Sequence, residues 1–218
     1  YAKAWNLIGF DGQSLQNFDG AYRNYKQNPD VNNAYTLQTM TPSFKDVGDI
    51  EFATILFKTE GIGNGISDYL DNTVAFASFA ASKTNPNSLG MLGSTDSETG
   101  TSVWLGVNAP CPLTPDDAKI GFEWNKGSKY WRSMTYAEDT YAGSKIATRG
   151  QAWEVYRTQK LTEALSFGVS YVLMQYDYTG SNSFFGADGT PYKIGSAEAG
   201  NKAVKEAQDV RAYMRYKF

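Results

Sequence analysis

The stretch VRAYMRYKF, residues 210–218, decides the fold. Its even positions hold apolar or aromatic side chains: Val210, Ala212, Met214, Tyr216 and Phe218. Its odd positions include three cations: Arg211, Arg215 and Lys217. Because successive side chains of a β-strand point to opposite faces, a strand here has one apolar face and one cationic face. This pattern is typical of a transmembrane β-barrel, in which one face meets lipid and the other lines the lumen.

Similar strands are predicted upstream. In residues 165–177 one face is apolar and the other small and polar: Leu165, Phe167, Val169, Tyr171 and Leu173 oppose Ser166, Gly168 and Ser170. The remaining candidates are 147–160, where alternation is imperfect, 117–125, 101–109, 72–82, 49–58 and 1–10, for eight strands in all. Two further strands, at 20–26 and 34–41 within the long segment 11–48, would raise the total to ten.

The predicted connections alternate in length. Going back from the last strand, 178–204 is long, 161–164 short, 126–146 long, 110–116 short, 83–100 long and 59–71 intermediate. Outer-membrane barrels join their strands by short periplasmic turns and longer external loops. The sequence therefore predicts an all-β, antiparallel up-and-down transmembrane β-barrel of 8–10 strands, or the C-terminal portion of a larger one. Residues 1–218 would form one domain, with upstream strands missing, because Tyr1 already lies within a candidate strand.

Composition narrows the function classes. The chain has no histidine, which removes Ser-His and Cys-His nucleophile pairs and histidine metal ligands. We predict no enzymatic activity and no cofactor, although a carboxylate pair for glycoside cleavage is compatible with the composition. The net charge of −3 argues against nucleic acid as a partner. No run of 18 apolar residues exists to form a transmembrane helix.

Charged residues on the non-apolar face of several strands are the predicted pore lining: Lys119, Glu123, Glu154, Arg157, Arg211, Arg215 and Lys217. In a water-filled pore such charges select ions and orient solutes. In a small closed barrel they would instead form a buried ion-paired core, and in a soluble β-sandwich they would face solvent. The sequence leaves these three interpretations open.

Aromatic residues cluster near the predicted strand ends: Trp124, Tyr130, Trp131, Tyr176, Tyr178, Tyr216 and Phe218. Barrels place such rings at the lipid headgroups, so we predict a membrane-interface girdle. A sandwich core or a sugar-binding platform would also be aromatic. The acidic pairs Asp116-Asp117 and Glu138-Asp139 lack the spacing of a calcium loop, and no metal site is predicted.

Four motifs resemble one family of Gram-negative proteins: residues 127–131 (GSKYW), 148–150 (TRG), 154–156 (EVY) and 176–182 (YDYTGSN). They are similar to the C-terminal half of the family called domain of unknown function 3373, most clearly over residues 117–218. The resemblance implies porin-type outer-membrane proteins about twice this length. It implies no catalytic residue, and the terminal Phe218 resembles the signal by which such barrels meet their assembly machinery.

Three functions are compatible with these patterns. The first is a porin-like barrel in the bacterial outer membrane for passive diffusion of small hydrophilic solutes. The second is a structural or sheath barrel that holds or displays a partner. The third is a soluble β-sandwich that binds carbohydrate. For the barrel, the predicted partners are the lipid bilayer and, through the C-terminal strand, the assembly machinery; a homo-oligomer is compatible with it.

Overall fold

A computed structural model describes residues 1–63, 65–87, 90–135, 142–181 and 189–218. These residues form ten strands: β1 Ala2–Ala4, β2 Ile8–Phe10, β3 Phe44–Asp46, β4 Gly48–Glu60, β5 Val74–Pro86, β6 Thr99–Cys111, β7 Thr114–Gly127, β8 Gly150–Lys160, β9 Leu165–Tyr176 and β10 Glu206–Tyr216. They also form the helices α1 Gly12–Gln27, α2 Val31–Thr39 and α3 Asp68–Asp71, and a 3-10 turn at Lys145–Ala147.

Eight strands form one antiparallel sheet in the order β1-β4-β5-β6-β7-β8-β9-β10, and β2 pairs with β3 separately. From β4 onward each strand is joined to its neighbour in sequence, so the predicted antiparallel up-and-down β fold is confirmed. The strands β4 to β10 have 11 to 14 residues, enough for a tilted strand to cross a hydrocarbon layer. Among the described residues the sheet order ends at β1 and β10, without a pairing that closes it into a barrel.

The segment between β1 and β4 corrects the prediction. Further strands are predicted at 20–26 and 34–41, but residues 20–26 lie in α1 and residues 34–39 lie in α2. Both helices begin at an aspartate: Asp11 accepts a hydrogen bond from the Gln13 amide at 3.1 Å, and Asp30 accepts one from the Asn33 amide at 2.7 Å. A carboxylate at this position satisfies an N–H group that has no partner within the helix, which stabilises the first turn. Residues 1–10, predicted as one strand, form the two short strands β1 and β2.

Long and short connections lie at opposite ends of the sheet. Residues 87–98, 128–149 and 177–205 join strands at one end, where the segment from β1 to β4 also lies. Residues 112–113, 161–164 and the intermediate 61–73 join them at the other. The predicted sorting of loops by length is therefore present. We call the two ends the long-loop end and the short-turn end.

Two small hydrophobic cores lie toward the long-loop end. In one, Ile50 and Phe52 of β4 pack with Val47, Met91 and Leu92. The other contains Ala152, Val172 and Met174 from β8 and β9, and Ala142 of the β7–β8 loop packs against it. Within the described ranges no helix has the length and apolar character to cross a membrane.

Candidate functional site

The two faces of the sheet differ in chemistry. Strand register places Val107, Phe122, Val155, Tyr171 and Val210 side by side in one row across β6 to β10. All five side chains are exposed, Val210 to 72%. The even positions of β10 that decided the fold lie on this same face, where Met214 is 65% exposed. We call it the apolar face. Contiguous exposed apolar rows are uncommon on soluble monomers and are typical of surfaces that contact a membrane or another protein.

The opposite face, which we call the polar face, has the reverse composition. One position away from the apolar row in each strand, the register aligns a second row, which lies on this face: Asn108, Gly121, Tyr156, Ser170 and Arg211. Buried polar side chains occur elsewhere on this face, including Ser82, Ser102 and Asn125. Ser102 donates to the Asn125 side-chain oxygen at 2.9 Å, and the Asn108 amide donates to the Tyr156 hydroxyl at 3.2 Å. Several polar side chains of this face are therefore buried and hydrogen-bonded, whereas the apolar row of the opposite face is exposed.

Aromatic rings on the polar face lie over glycines of adjacent strands. The ring of Tyr213 covers Gly168, and the ring of Tyr156 covers Gly121. Phe76 lies over Gly106 in the same way. A Cβ atom at any of these glycines would overlap the ring. The absence of a side chain thus lets a ring lie flat along the sheet, which shields the glycine backbone.

An ion-paired cluster lies on the polar face below the β7–β8 loop. Lys145 extends from the 3-10 turn and its Nζ lies 2.7 Å from Oε2 of Glu123, and it also pairs with Glu154. The Trp104 indole N–H donates to Glu123 at 2.8 Å, and Nζ of Lys145 lies 5.6 Å from the Trp104 ring centroid. The side chains of Lys145, Glu123 and Glu154 are only 12 to 16% exposed.

The pKa of Lys145 reflects two opposing effects. Burial disfavours the charged ammonium and lowers the pKa, whereas hydrogen bonds from Lys145 to Glu123 and Glu154 raise it. The net pKa lies above its ordinary value, so the residue is cationic at neutral pH. A separate ion pair lies beside the cluster on β10, where Arg211 Nε lies 2.5 Å from Asp209 Oδ2. A gap of about 20 Å³, lined by Lys145 and Glu154 of the cluster and by this pair, lies between them.

Five of the seven predicted lumen residues lie on the polar face: Lys119, Glu123, Glu154, Arg211 and Arg215. Glu123 and Glu154 are direct cross-strand neighbours, and Lys119 and Arg215 are exposed nearer the short-turn end. Lys217 follows β10, and its amide donates to the Ala164 carbonyl at 2.9 Å.

The placement of Arg157 differs from the prediction. It lies on the apolar face, paired in register with Ile120 and Val169. Its guanidinium extends toward the short-turn end, where it donates to Thr114 at 3.2 Å and to Gln159 at 2.7 Å. Alternation explains this, since Arg157 has the same parity as Trp153 and Val155. A long cationic side chain on such a face can keep its head near water while its stem packs on apolar neighbours.

The predicted interface aromatics divide into two groups. Trp124 lies on the apolar face, 6.0 Å between ring centroids from Trp153, which the sequence did not single out. Tyr216 also lies on this face at the short-turn end, and its ring meets that of the exposed Phe218 at 5.3 Å. Tyr130 and Tyr178 lie in the long loops at intermediate exposure.

Trp131 and Tyr176 do not fit the predicted girdle. Trp131 is 6% exposed, and its indole N–H donates to the Ile146 carbonyl at 2.8 Å within the β7–β8 loop. Tyr176 lies on the polar face and its hydroxyl donates to the Ala142 carbonyl at 3.1 Å. Both rings pack against other parts of the protein. An aromatic residue near a strand end can face either side of the sheet, so its position along the strand does not by itself place it at a membrane interface.

The loop motifs meet at Arg149, which the sequence did not identify as a functional residue. This side chain is 1% exposed, and its Nε donates to the Trp131 carbonyl at 2.9 Å. One terminal nitrogen donates to the carbonyls of Thr179 at 3.0 Å and Gly189 at 2.5 Å. The Arg149 amide donates to the Ser181 hydroxyl at 2.8 Å. Three of the four motifs that carry the family resemblance thus form one contact, which joins the β7–β8 and β9–β10 loops.

No metal ligand set is found among the described residues. Asp117 is exposed on β7, and the predicted acidic pair at 138 and 139 lies outside the described ranges. The single cysteine, Cys111, is the buried last residue of β6 and pairs in register with Thr114.

The fold and its faces define a class of protein: an antiparallel β-meander with an exposed apolar face and a polar face covered by long loops. A family model described as "Protein of unknown function (DUF3373)" matches residues 1–218, and the chain belongs to this family. The match confirms the resemblance and extends it over residues 1–116. Comparison with curated proteins and with solved structures finds no match.

Proposed function

We propose that this chain forms the wall of a bacterial outer-membrane β-barrel and that its polar face lines a path for passive diffusion of small hydrophilic solutes. The single observation that carries this proposal is the row Val107, Phe122, Val155, Tyr171 and Val210, exposed across five strands, directly beside a polar row. A soluble protein would place the apolar row inside, because burial of apolar area drives its folding. In lipid the same row faces acyl chains without cost.

The boundary of the apolar face supports the membrane assignment. At its long-loop side a polar row crosses four strands: Lys126, Gln151, Gln175 and Glu206. The next row inward contains Trp124 and Trp153. Indole rings just inside a polar row match the headgroup region, where an amphipathic ring meets both water and hydrocarbon.

The polar face supports the diffusion assignment. Glu123, Glu154, Lys145 and Arg211 present both charge signs on it, which orients polar solutes without excluding one sign. The Lys145 segment covers this face, so it would form a constriction in the path. The proposal assigns no bond-breaking step to any residue.

Single-channel recording in planar bilayers tests the proposal. Purified protein folded in detergent should migrate differently on gels before and after heating, and should give discrete conductance steps. The double variant Glu123→Gln/Glu154→Gln should lower the preference for cations over anions, whereas Glu163→Gln, in the exposed β8–β9 turn, should leave it unchanged. If the protein shows heat-modifiable migration but no conductance, the result would contradict the diffusion function, while the barrel assignment would stand.

A structural or sheath barrel is the second candidate. It is favoured by the β7–β8 loop, which packs onto the polar face through Ala142 and Lys145 and takes up space there. Co-purification of a stoichiometric partner, together with absent conductance, would support this function over diffusion.

A further inference from the structure

A pocket of about 390 Å³ lies beside the ion-paired cluster, between the polar face of β4 to β6 and the β7–β8 loop. Its volume is within the range of small-molecule sites, about 300–1,000 Å³. Phe52, Ser78 and Trp104 form its floor, and Trp131, Ser133 and Met134 cover it. None of its lining residues carries a charged side chain, although Glu123 and Lys145 lie on the other side of Trp104.

Six polar side chains around this pocket have partners in the protein. The indole N–H of Trp104 donates to Glu123, and that of Trp131 donates to the Ile146 carbonyl. The hydroxyls of Thr54 and Ser78 lie 3.4 Å apart, within hydrogen-bond distance. Two further hydroxyls are also paired: Ser102 with Asn125, and Ser133 with the Thr135 carbonyl. What the pocket presents to a ligand is therefore ring faces and methyl groups.

We propose that this pocket binds an uncharged aromatic solute. A charged molecule would have to lose its hydration without gaining a side chain of opposite charge among the lining residues, which is unfavourable. An uncharged ring can pack against Trp104 and Trp131 in the offset or edge-on arrangements that aromatic pairs prefer. Trp104 then has two roles: its N–H holds Glu123 in the charged cluster and its ring forms the pocket wall. The inference goes beyond the proposed function, because an uncharged aromatic molecule is less polar than the hydrophilic solutes assigned to the path, and it rests on that function only for the route of entry.

Protection of an introduced cysteine tests the pocket directly. In a Cys111→Ala background, Ser78→Cys places a thiol in the pocket and Phe79→Cys places one on the apolar face, one residue away. The rate of labelling by N-ethylmaleimide is measured with p-cresol or with p-toluate, which have a similar ring but differ in charge at pH 7. We expect p-cresol to slow labelling at position 78 about tenfold more effectively than p-toluate, because only the latter buries a charge.

Two further measurements keep the test decisive. Labelling at position 79 should be unaffected by either compound, because this residue lies on the apolar face and does not line the pocket. Ala80→Leu, which fills the pocket, should abolish the protection of position 78. Equal protection by both compounds, equal slowing at positions 78 and 79, or no protection at all would overturn the inference. Protection without channel conductance would instead reject the diffusion function and leave the pocket standing.

Discussion

Arg149 donates a hydrogen bond from its Nε to the main-chain carbonyl of Trp131, across 2.9 Å and 18 positions of sequence. The same guanidinium binds the Thr179 and Gly189 carbonyls of the next long loop. One buried cation therefore fixes two loops to each other above the sheet. An arginine suits this position because its planar guanidinium group has five N–H donors that point in several directions.

Arg149→Ala should destabilise the protein by about 3 kcal/mol, because it removes the donor to the buried Trp131 carbonyl and to the part-buried carbonyls of Thr179 and Gly189. The free energy of unfolding is measured by urea titration in lipid vesicles. Arg157→Ala is the matched control and should change it by about 0.5 kcal/mol or less, since that side chain is exposed. Equal effects of the two variants would contradict the role given to Arg149.

Lys145→Met should increase both channel conductance and the preference for cations. Removal of the ammonium leaves Glu123 and Glu154 without their shared partner and releases the 3-10 turn from the polar face. Reversal potentials in a salt gradient measure the change. Lys129→Met is the control, because Lys129 is exposed and lies over the Tyr130 ring in the same loop. Unchanged selectivity in Lys145→Met would argue that the cluster lies outside the solute path.

The start of α1 should persist in acid. A hydrogen bond from Lys45, at 2.6 Å, lowers the pKa of Asp11 below its ordinary value of 3.8; burial opposes this, and the Gln13 amide adds to it. A lowered pKa in the folded state stabilises the fold above pH 3.8, and that contribution is lost as pH falls through the folded pKa.

The Gln13 amide proton shift, followed by NMR, reports this titration because Asp11 accepts from that amide. Its midpoint should fall below 3.8 in the native chain and rise in Lys45→Ala. Lys26→Ala, at the far end of α1, should leave the midpoint unchanged. A midpoint insensitive to Lys45 would show that this cation does not set the titration.

Gly168→Ala should weaken folding by about 1–3 kcal/mol, because the new methyl group overlaps the Tyr213 ring and the ring must move. Gly20→Ala offers a contrast within the same chain. No atom lies within 4 Å of a Cβ at Gly20, and this glycine is inside α1, so alanine should stabilise the helix by about 0.5–1 kcal/mol. Urea titration of both variants checks the pair; a neutral Gly168→Ala would show that ring and glycine do not pack as described.

Alternation made much of the sheet predictable. The two-residue period of residues 165–173 assigned each side chain to its face correctly, as the register of β9 with β10 shows. In residues 147–160 strict alternation places Arg157 on the apolar face together with Trp153 and Val155. The prediction that Arg157 lines the lumen followed its charge instead of this alternation. Local pattern is therefore a better guide to the face than residue type when the two disagree.

Other features depend on contacts between distant residues. The tyrosines and threonines of 20–26 and 34–41 favour strands, but the capping aspartates Asp11 and Asp30 begin helices there. Lys145 meets Glu123 across 22 positions, and no local pattern links them. Trp131 and Tyr176 lie near strand ends as predicted, yet the fold of the loops decides that they pack inward.

The central claim, that the apolar face meets lipid, is tested most directly by spin labels placed singly at positions 167 to 173 of β9 in vesicles, with Cys111→Ala as background. We predict that accessibility to oxygen, which concentrates in hydrocarbon, peaks at 167, 169, 171 and 173 and is low at 168, 170 and 172, while a water-soluble nickel complex does not reach the odd positions. Odd positions open to the nickel complex, or an absence of the two-residue alternation, would contradict the account.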